Sequence, residues 1–264
     1  MNVQDGGWRE PPRVLDPSWA LFLDVDGTLL DIADEPQAVK VPSGLVPALT
    51  ELFGMLGGAL ALVSGRPIVE LDRLFAPLVL PAAGQHGAEQ RLAADEPVRS
   101  HSVDPVLPAL IPEVRAIAAV WPAVEVEEKG AAIAVHFRRE PEAEVPLTRA
   151  LRAMVEAAGG RIELLEGKMV RELRDCRHTK GSAVGTFMGV PPFSGRRPIF
   201  VGDDVTDEDG FRAVETAGGL AMVVGVNPAI DRAPAFSGAA AVRKWLARLT
   251  QENALGTASG MRRP

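Results

Sequence analysis

Trp19-Ala20-Leu21-Phe22-Leu23-Asp24-Val25-Asp26-Gly27-Thr28 is the stretch that decides the fold. Residues 19–25 are almost continuously apolar, which predicts a strand buried on both faces rather than one alternating between core and water. The run closes on two carboxylates two residues apart, followed by a glycine that permits a sharp turn. In an open α/β sheet, ligands bind outside the carboxyl ends of the strands. Asp24 and Asp26 therefore stand where a ligand is expected. The same residues would also serve as a polar turn that merely ends a strand, so the rest of the chain has to weigh in.

Outward from this stretch the pattern repeats. Residues 43–57 place Leu45, Leu49, Leu52, Phe53 and Leu56 at helical spacing, and 59–63 form a second buried strand closed by Ser64-Gly65-Arg66-Pro67. Residues 67–75 predict a short helix with its proline in the first turn. Near the other end, 197–202 and 220–225 are again short apolar strands, with a helix over 207–217 between them. This alternation predicts an α/β fold: a doubly wound, Rossmann-like parallel sheet with helices on both faces. The middle reads differently, as a helix over 105–120, strands over 123–128 and 131–139 around Lys129-Gly130, a helix over 141–158, and strands over 161–166 and 169–174 around Gly167-Lys168. The expected division is a core in two parts, 1–100 and 179–264, around an inserted α+β layer at 101–178, with 251–264 as a frayed, flexible tail.

Composition bounds the function. Acidic residues outnumber basic ones 35 to 28, a formal charge of −7, which argues against a nucleic-acid partner. The single cysteine, Cys176, excludes an internal disulfide framework and a multi-Cys zinc site. The four histidines (His86, His101, His136, His178) form no H-x-x-x-H pair. The first residues, MNVQDGGWREPPRV, lack a basic segment followed by an apolar one, and no apolar run approaches the roughly 18–20 residues of a membrane span. The expectation is a cytoplasmic protein with a small-molecule substrate and no membrane or obligate protein partner. There is no P-loop, no G-x-G-x-x-G after a strand, and Ser64 does not lie in G-x-S-x-G.

A second acidic cluster, Gly202-Asp203-Asp204-Val205-Thr206-Asp207-Glu208-Asp209, follows the strand that ends PIFV. A helix N-terminus accounts for Asp207 and Glu208. It accounts poorly for Asp203 and Asp204, which precede the helix at the strand end. Two acidic clusters at two strand ends repel unless a cation sits between them, and all-oxygen ligands beside a phosphate point to Mg²⁺. Ser64 offers a hydroxyl to a phosphate oxygen, and Lys180, in His178-Thr179-Lys180-Gly181, offers a positive charge before a helix. Alone, the first is an ordinary turn residue and the second an ordinary solvated one.

In this order, Asp-x-Asp, Ser, Lys and Gly-Asp-Asp, the set resembles the haloacid-dehalogenase-like phosphatase superfamily. Within it the chain resembles the trehalose-6-phosphate phosphatases from about Leu21 to Trp245. The stretches that carry the resemblance are Leu23–Leu29, Val63–Arg66, Gly84–Glu89, Glu127–Lys129, Val135–Arg138, Gly167–Glu172, Lys180-Gly181 and Gly202–Glu208. Phe137 stands where that family often has tyrosine, and the chain has no room for the synthase domain fused to some relatives.

The resemblance implies a mechanism. Asp24 attacks phosphorus to give an aspartyl phosphate, and Asp26 acts first as acid and then as base. Mg²⁺ is held by the Asp24 carboxylate, the Asp26 carbonyl and Asp203, with Asp207 binding directly or through water. Asp204 hydrogen-bonds a metal-bound water or Lys180. Ser64 and Lys180 clamp the phosphate beside Val25 and Gly65; Arg66 assists or, as an Arg after a turn, is structural; Thr28 and His86 take secondary places, His86 touching the ligand or satisfying a turn. The inserted layer becomes a cap whose Glu127, Lys129, Arg138 and Glu172 read the sugar. Glu127 and Lys129, two apart, share a strand face, and Arg138 joins them if the strands form a hairpin. A solvent-facing charged sheet surface would read the same way. Competing readings are a phosphatase for another sugar phosphate, a phosphosugar mutase, or a non-catalytic sugar-phosphate sensor, the last expected to lack Asp24 or Asp26.

Overall fold

The computed structural model describes residues 9–32, 39–167 and 169–260, with side chains in the final helix described up to Gln251. The chain divides into two compact units, Met1–Arg99 with Lys180–Pro264, and Ser100–Thr179.

The first half of the discontinuous unit contains β1 (Trp19–Leu23), α1 (Leu45–Met55), β2 (Leu60–Val63), α2 (Ile68–Phe75), β3 (Ala82–Gly84), β4 (Glu89–Arg91) and β5 (Arg99–Ser100). The continuous unit contains α3 (Val106–Ala118), β6 (Glu125–Glu128), β7 (Ala132–His136), α4 (Glu144–Ala157), β8 (Ile162–Gly167) and β9 (Val170–Asp175). The first unit then resumes with α5 (Lys180–Met188), β10 (Arg197–Gly202), α6 (Glu208–Thr216), β11 (Leu220–Val224), β12 (Pro234–Phe236) and α7 (Ala239–Gly260).

The large sheet runs in the order β12-β11-β10-β1-β2-β3-β4-β5. β1 is central and pairs in parallel with β10 (Leu21↔Ile199) and with β2 (Leu21↔Leu60). Its continuous apolar run follows from this position. Leu21 and Leu23 join Leu49, Leu52, Ile68, Phe75 and Leu246 in one core, on the α1, α2 and α7 side. Ala20 and Phe22 join Val184, Phe187, Phe211 and Val214 in another, on the α5 and α6 side. Phe22 packs on Phe187 and Phe193 with ring centroids 5.8 and 5.4 Å away. Burying each such side chain contributes about 1.5–3 kcal/mol, so the fully buried strand is what joins the two helical layers.

Three features depart from the reading above. The sheet is not wholly parallel, because β4 runs antiparallel to β3. Strands β3, β4, β5 and β12 were not expected: at two or three residues each they are too short to show a period. α7 continues through residues 251–260 of the stretch read as a tail, where Gln, Glu, Ala and Leu favour helix.

The continuous unit is an antiparallel sheet, β6-β7-β9-β8. Ile133, Val135 and Leu173 face a core shared with Leu107 and Val114 of α3 and Leu147, Leu151 and Met154 of α4. β7 ends at His136, short of the expected 139. Lys168, which follows Gly167 in the sequence, lies outside the described residues. No helix among the described residues is long and apolar enough to cross a membrane.

Candidate active site

Three adjacent parallel strands, β10, β1 and β2, end side by side, and each delivers a polar residue directly after its last apolar one: Asp203, Asp24 and Ser64. The Asp24 amide still donates to Val201 O of β10 at 2.9 Å, so its carboxylate leaves from a backbone held by the sheet. Lys180, the first residue of α5, reaches the same point. Its Nζ donates to Asp24 Oδ1 at 2.7 Å and to Asp207 Oδ1 at 2.6 Å, and all three residues are buried.

The turn after β10 is fixed by a capping box: the Asp204 side chain accepts the Asp207 amide, and Asp207 accepts in return. Asp207 Oδ2 takes the amides of Asp203 and Asp204 at 2.9 and 3.0 Å. Asp204 thus caps the helix, and Lys180, the partner expected for Asp204, bonds Asp207 instead. The turn after β1 is shaped by Gly27 at φ +84°, where a Cβ would stand 2.1 Å from Asp203 Oδ2. Only glycine lets the two acidic turns approach this closely. Thr28, buried on the same turn, donates to Asp203 Oδ1 at 3.1 Å. Val25 points into the apolar core, and its carbonyl accepts the amides of Leu29 and Leu30.

Asp24, Asp203 and Asp207 each offer one carboxylate oxygen to a group whose members all lie within 4.8 Å of one another. One lysine faces these three carboxylates, so two negative charges stay uncompensated when all are ionised. The imbalance is felt at Asp24 and Asp203. Burial pushes the Asp24 pKa well above the carboxylate range, with Asp207 and Asp203 adding repulsion against the pull of Lys180. Burial, then Asp207, lifts Asp203 to about 7. Burial opposes the charge on Lys180, but Asp207 and Asp24 outweigh it and hold its pKa above the usual lysine value. A divalent cation relieves this imbalance, and an all-oxygen donor set suits a hard one. The cluster is geometrically fit to chelate a divalent metal.

The loop after β2 carries the remaining core residues. Ser64 is buried, and its Oγ accepts the Arg66 amide at 3.2 Å. Arg66 Nε and Nη2 grip both oxygens of Asp26, at 2.6 and 2.7 Å, while Nη1 lies 3.3 Å from Glu70. A strained segment braces this loop. Gln85 and His86 both have positive φ, at 47° and 57°, and their amides donate to Arg66 O and Ser64 O. Such conformations are unusual outside glycine and persist only where their surroundings hold them. Here the His86 ring is set against Gly65, where an added Cβ would lie 2.8 Å from Nε2. Glu89 accepts from the Ile68 amide and from Gln85 Nε2.

In the inserted unit, Glu127 pairs with Ala134 and Ala134 with Glu172 across the sheet, which puts both glutamates on the face away from the apolar core. Lys129 Nζ lies 3.2 Å from Glu172 Oε2 and 3.8 Å from Glu127 Oε2. β7 ends at His136, two residues before Arg138, which lies exposed in the following turn. Sequence reasoning missed other charged pairs of this sheet. His136 Nε2 lies 3.0 Å from Glu127 Oε2, and Arg174 Nε donates to Glu163 at 2.6 Å. His136 was readable from period two along β7. Glu70, four residues after Arg66 on a short helix, was readable from i,i+4 spacing.

A trehalose-phosphatase family model matches residues 22–235, which takes in both units. The chain belongs to the trehalose-phosphatase family. It is 44% identical over 237 residues to a probable trehalose-phosphate phosphatase of Sinorhizobium fredii, covering 89% of each chain. It is 37% identical over 236 residues to the trehalose-6-phosphate phosphatase of Escherichia coli, covering 89% of this chain and 88% of that one. The solved structure of Aspergillus fumigatus trehalose-6-phosphate phosphatase superposes with a TM-score of 0.65 at 25% identity, covering 90% of this chain and 98% of that one. The fold is shared with a haloacid dehalogenase-like hydrolase from Bacteroides thetaiotaomicron, with a TM-score of 0.65 at 16% identity, covering 88% of this chain and 99% of that one.

Proposed function

We propose that this protein hydrolyses trehalose 6-phosphate to trehalose and inorganic phosphate, using Mg²⁺ at the strand-end carboxylates. The observation that carries the reading is the convergence of Asp24, Asp203, Asp207 and Lys180 within one buried polar cluster, in a member of the trehalose-phosphatase family. Asp24 and Asp203 would hold the ion with their carboxylates and Asp26 with its carbonyl, with Asp207 behind them. When bound, Mg²⁺ supplies a Lewis acid that neutralises charge between nucleophile and phosphate.

The chain's own groups do the rest. An Asp24 oxygen forms a bond to phosphorus as the bond to the sugar oxygen breaks, and Asp26 gives that oxygen its proton. Water then adds to phosphorus and passes a proton back to Asp26, and the bond to Asp24 breaks to restore the carboxylate. Lys180 and Ser64 hold phosphate oxygens, and Lys180 also keeps Asp24 oriented. Glu127, Lys129 and Glu172 supply hydrogen-bonding groups for sugar hydroxyls, with Arg138 as a further candidate. Together with the acidic balance of the chain, this reading favours a cytoplasmic enzyme with a small-molecule partner.

The test is phosphate release from a panel containing trehalose 6-phosphate, sucrose 6-phosphate, glucose 6-phosphate and p-nitrophenyl phosphate, with and without a chelator. Trehalose 6-phosphate should lead the sugars in kcat/KM by about ten-fold or more, and chelation should abolish release until Mg²⁺ is restored. A higher value for another sugar phosphate reassigns the substrate. Transfer of the phosphoryl group to a second sugar hydroxyl, without free phosphate, would make it a mutase.

A further inference from the structure

We infer that Arg66 is a positioning residue for Asp26 rather than a ligand of the phosphate. The inference rests on the reading of Asp26 as the acid and base. Asp26 follows β1 on a turn, and its side chain is 38% exposed, so burial does little to fix its rotamer. General acid catalysis needs the carboxyl within hydrogen-bond reach of the leaving oxygen, and a misplacement of about 1 Å costs about a hundred-fold in rate. Arg66 supplies the missing constraint. Its side chain is only 12% exposed, and its guanidinium engages both Asp26 oxygens, a planar two-point grip that fixes orientation as well as distance.

Arg66 is itself held at its main chain and at its head. Its amide donates to Ser64 Oγ and its carbonyl accepts the Gln85 amide, so the backbone is pinned between β2 and the strained 85–87 segment. Its third nitrogen faces Glu70 in the first turn of α2. With two carboxylates on one guanidinium, the group presents no net positive charge to an incoming phosphate. A Mg²⁺ held at the strand-end carboxylates would supply the positive charge a phosphate needs, and Arg66 instead ties the Asp26 turn to the Ser64 loop.

The experiment compares kcat and KM for trehalose 6-phosphate with the first-turnover rate on p-nitrophenyl phosphate, whose leaving group needs no proton. It uses the full-length Mg²⁺-loaded enzyme in five forms: wild type, Asp26→Asn, Arg66→Gln, Arg66→Lys and the double variant Arg66→Gln/Asp26→Asn. Arg66→Gln should lower kcat on the sugar phosphate about 10- to 100-fold while KM moves less than about 3-fold, and should slow the aryl substrate several-fold less. Arg66→Lys should recover little, since an ammonium cannot make the two-point grip. The double variant should match Asp26→Asn within about two-fold, because a residue acting through Asp26 has nothing left to position.

Two results overturn the inference. One is a KM and a phosphate inhibition constant that rise together on both substrates, which marks a phosphate ligand. The other is a double variant as slow as the product of the singles. Should Arg66→Gln fail to fold, Glu70→Gln loosens the same guanidinium. It should shift the sugar-to-aryl ratio in the same direction by a few-fold, and an unchanged ratio counts against the inference. Failure of the underlying reading shows separately: Asp26→Asn alone would leave the sugar-to-aryl ratio unchanged.

Discussion

In the core, Asp24, Lys180 and Asp207 lie out of water with hydrogen bonds of 2.6–2.7 Å between them. In the inserted unit, Glu127 and Lys129 carry the same charges but remain 54% and 27% exposed, 3.8 Å apart. The first group is positioned by backbone: strand ends, a capping box and a glycine turn set where each carboxylate stands. The second is positioned by side chains leaning on one another across a sheet. Burial makes each core charge costly to leave unmatched, about 3–5 kcal/mol when one partner of a buried pair is removed. An exposed pair is worth at most about 1 kcal/mol. The core group therefore suits a fixed chemical task, and the sheet face suits hydroxyl groups that exchange with water.

The hardest break in this contrast is Asp24→Asn. It keeps the shape and removes the proposed nucleophile, so turnover should fall at least about 1000-fold on sugar and aryl phosphates alike. Phosphate-release assays read this directly. Gly27→Ala tests whether backbone sets the core. It forces a Cβ against Asp203 at a φ that L residues resist, so the Mg²⁺ needed for half-activity should rise and activity should fall by about 100-fold. Metal titration with thermal melting separates a damaged site from lost folding.

Glu127→Ala, Lys129→Ala and Glu172→Ala address the other side. Each should lower kcat/KM for trehalose 6-phosphate about ten-fold, with a smaller loss on p-nitrophenyl phosphate. Equal losses on the two substrates would move these residues from sugar reading to structure.

The smallest effect is one of pH, and it has opposite signs in the two units. Asp203, raised from 3.8 to about 7, holds a proton in the folded state that the unfolded chain has lost. Metal-free core stability should therefore fall as pH rises from about 4 to 7, by no more than about 1.4 kcal/mol per pH unit. Saturating Mg²⁺ should flatten that slope. In the inserted unit, burial pushes Asp175 upward, but the Arg177 side chain and the amides of Arg177 and Asp104 outweigh it and hold it at about 2. Its stabilisation is complete above about 4 and is lost as pH falls toward 2. Melting curves at pH 3, 5 and 7.5, with and without Mg²⁺, check both signs.

Legibility followed the same divide. β1, β2, β10 and β11 were readable as continuous apolar runs because a strand buried on both faces has no polar positions. Asp24, Ser64 and Asp203 were readable because each directly follows such a run. What escaped depends on contacts between distant residues. The grip of Arg66 on Asp26 spans 40 positions, and nothing local marks it. Asp204 as a cap and Asp207 as the partner of Lys180 could not be told apart within a run of acids. On the inserted sheet, alternation gave the face but not the strand end that leaves Arg138 in a turn.

The central place of β1 also sets an order of events during synthesis. Trp19 must find Arg197, and Leu23 must find Val201, before the sheet can close around the first strand. Every strand pair of the β6-β7-β9-β8 sheet, by contrast, lies within residues 125–175. As the chain leaves the ribosome, the inserted unit has all its strands while β1 still waits for its partner on one side, its leucines without a finished core. The interruption of the core by a self-contained unit thus lengthens the time for which Leu21, Phe22 and Leu23 are open to the wrong neighbours. A growing chain of this fold is most exposed to aggregation in the interval before β10 emerges, and a chaperone that shields residues 19–23 would act there.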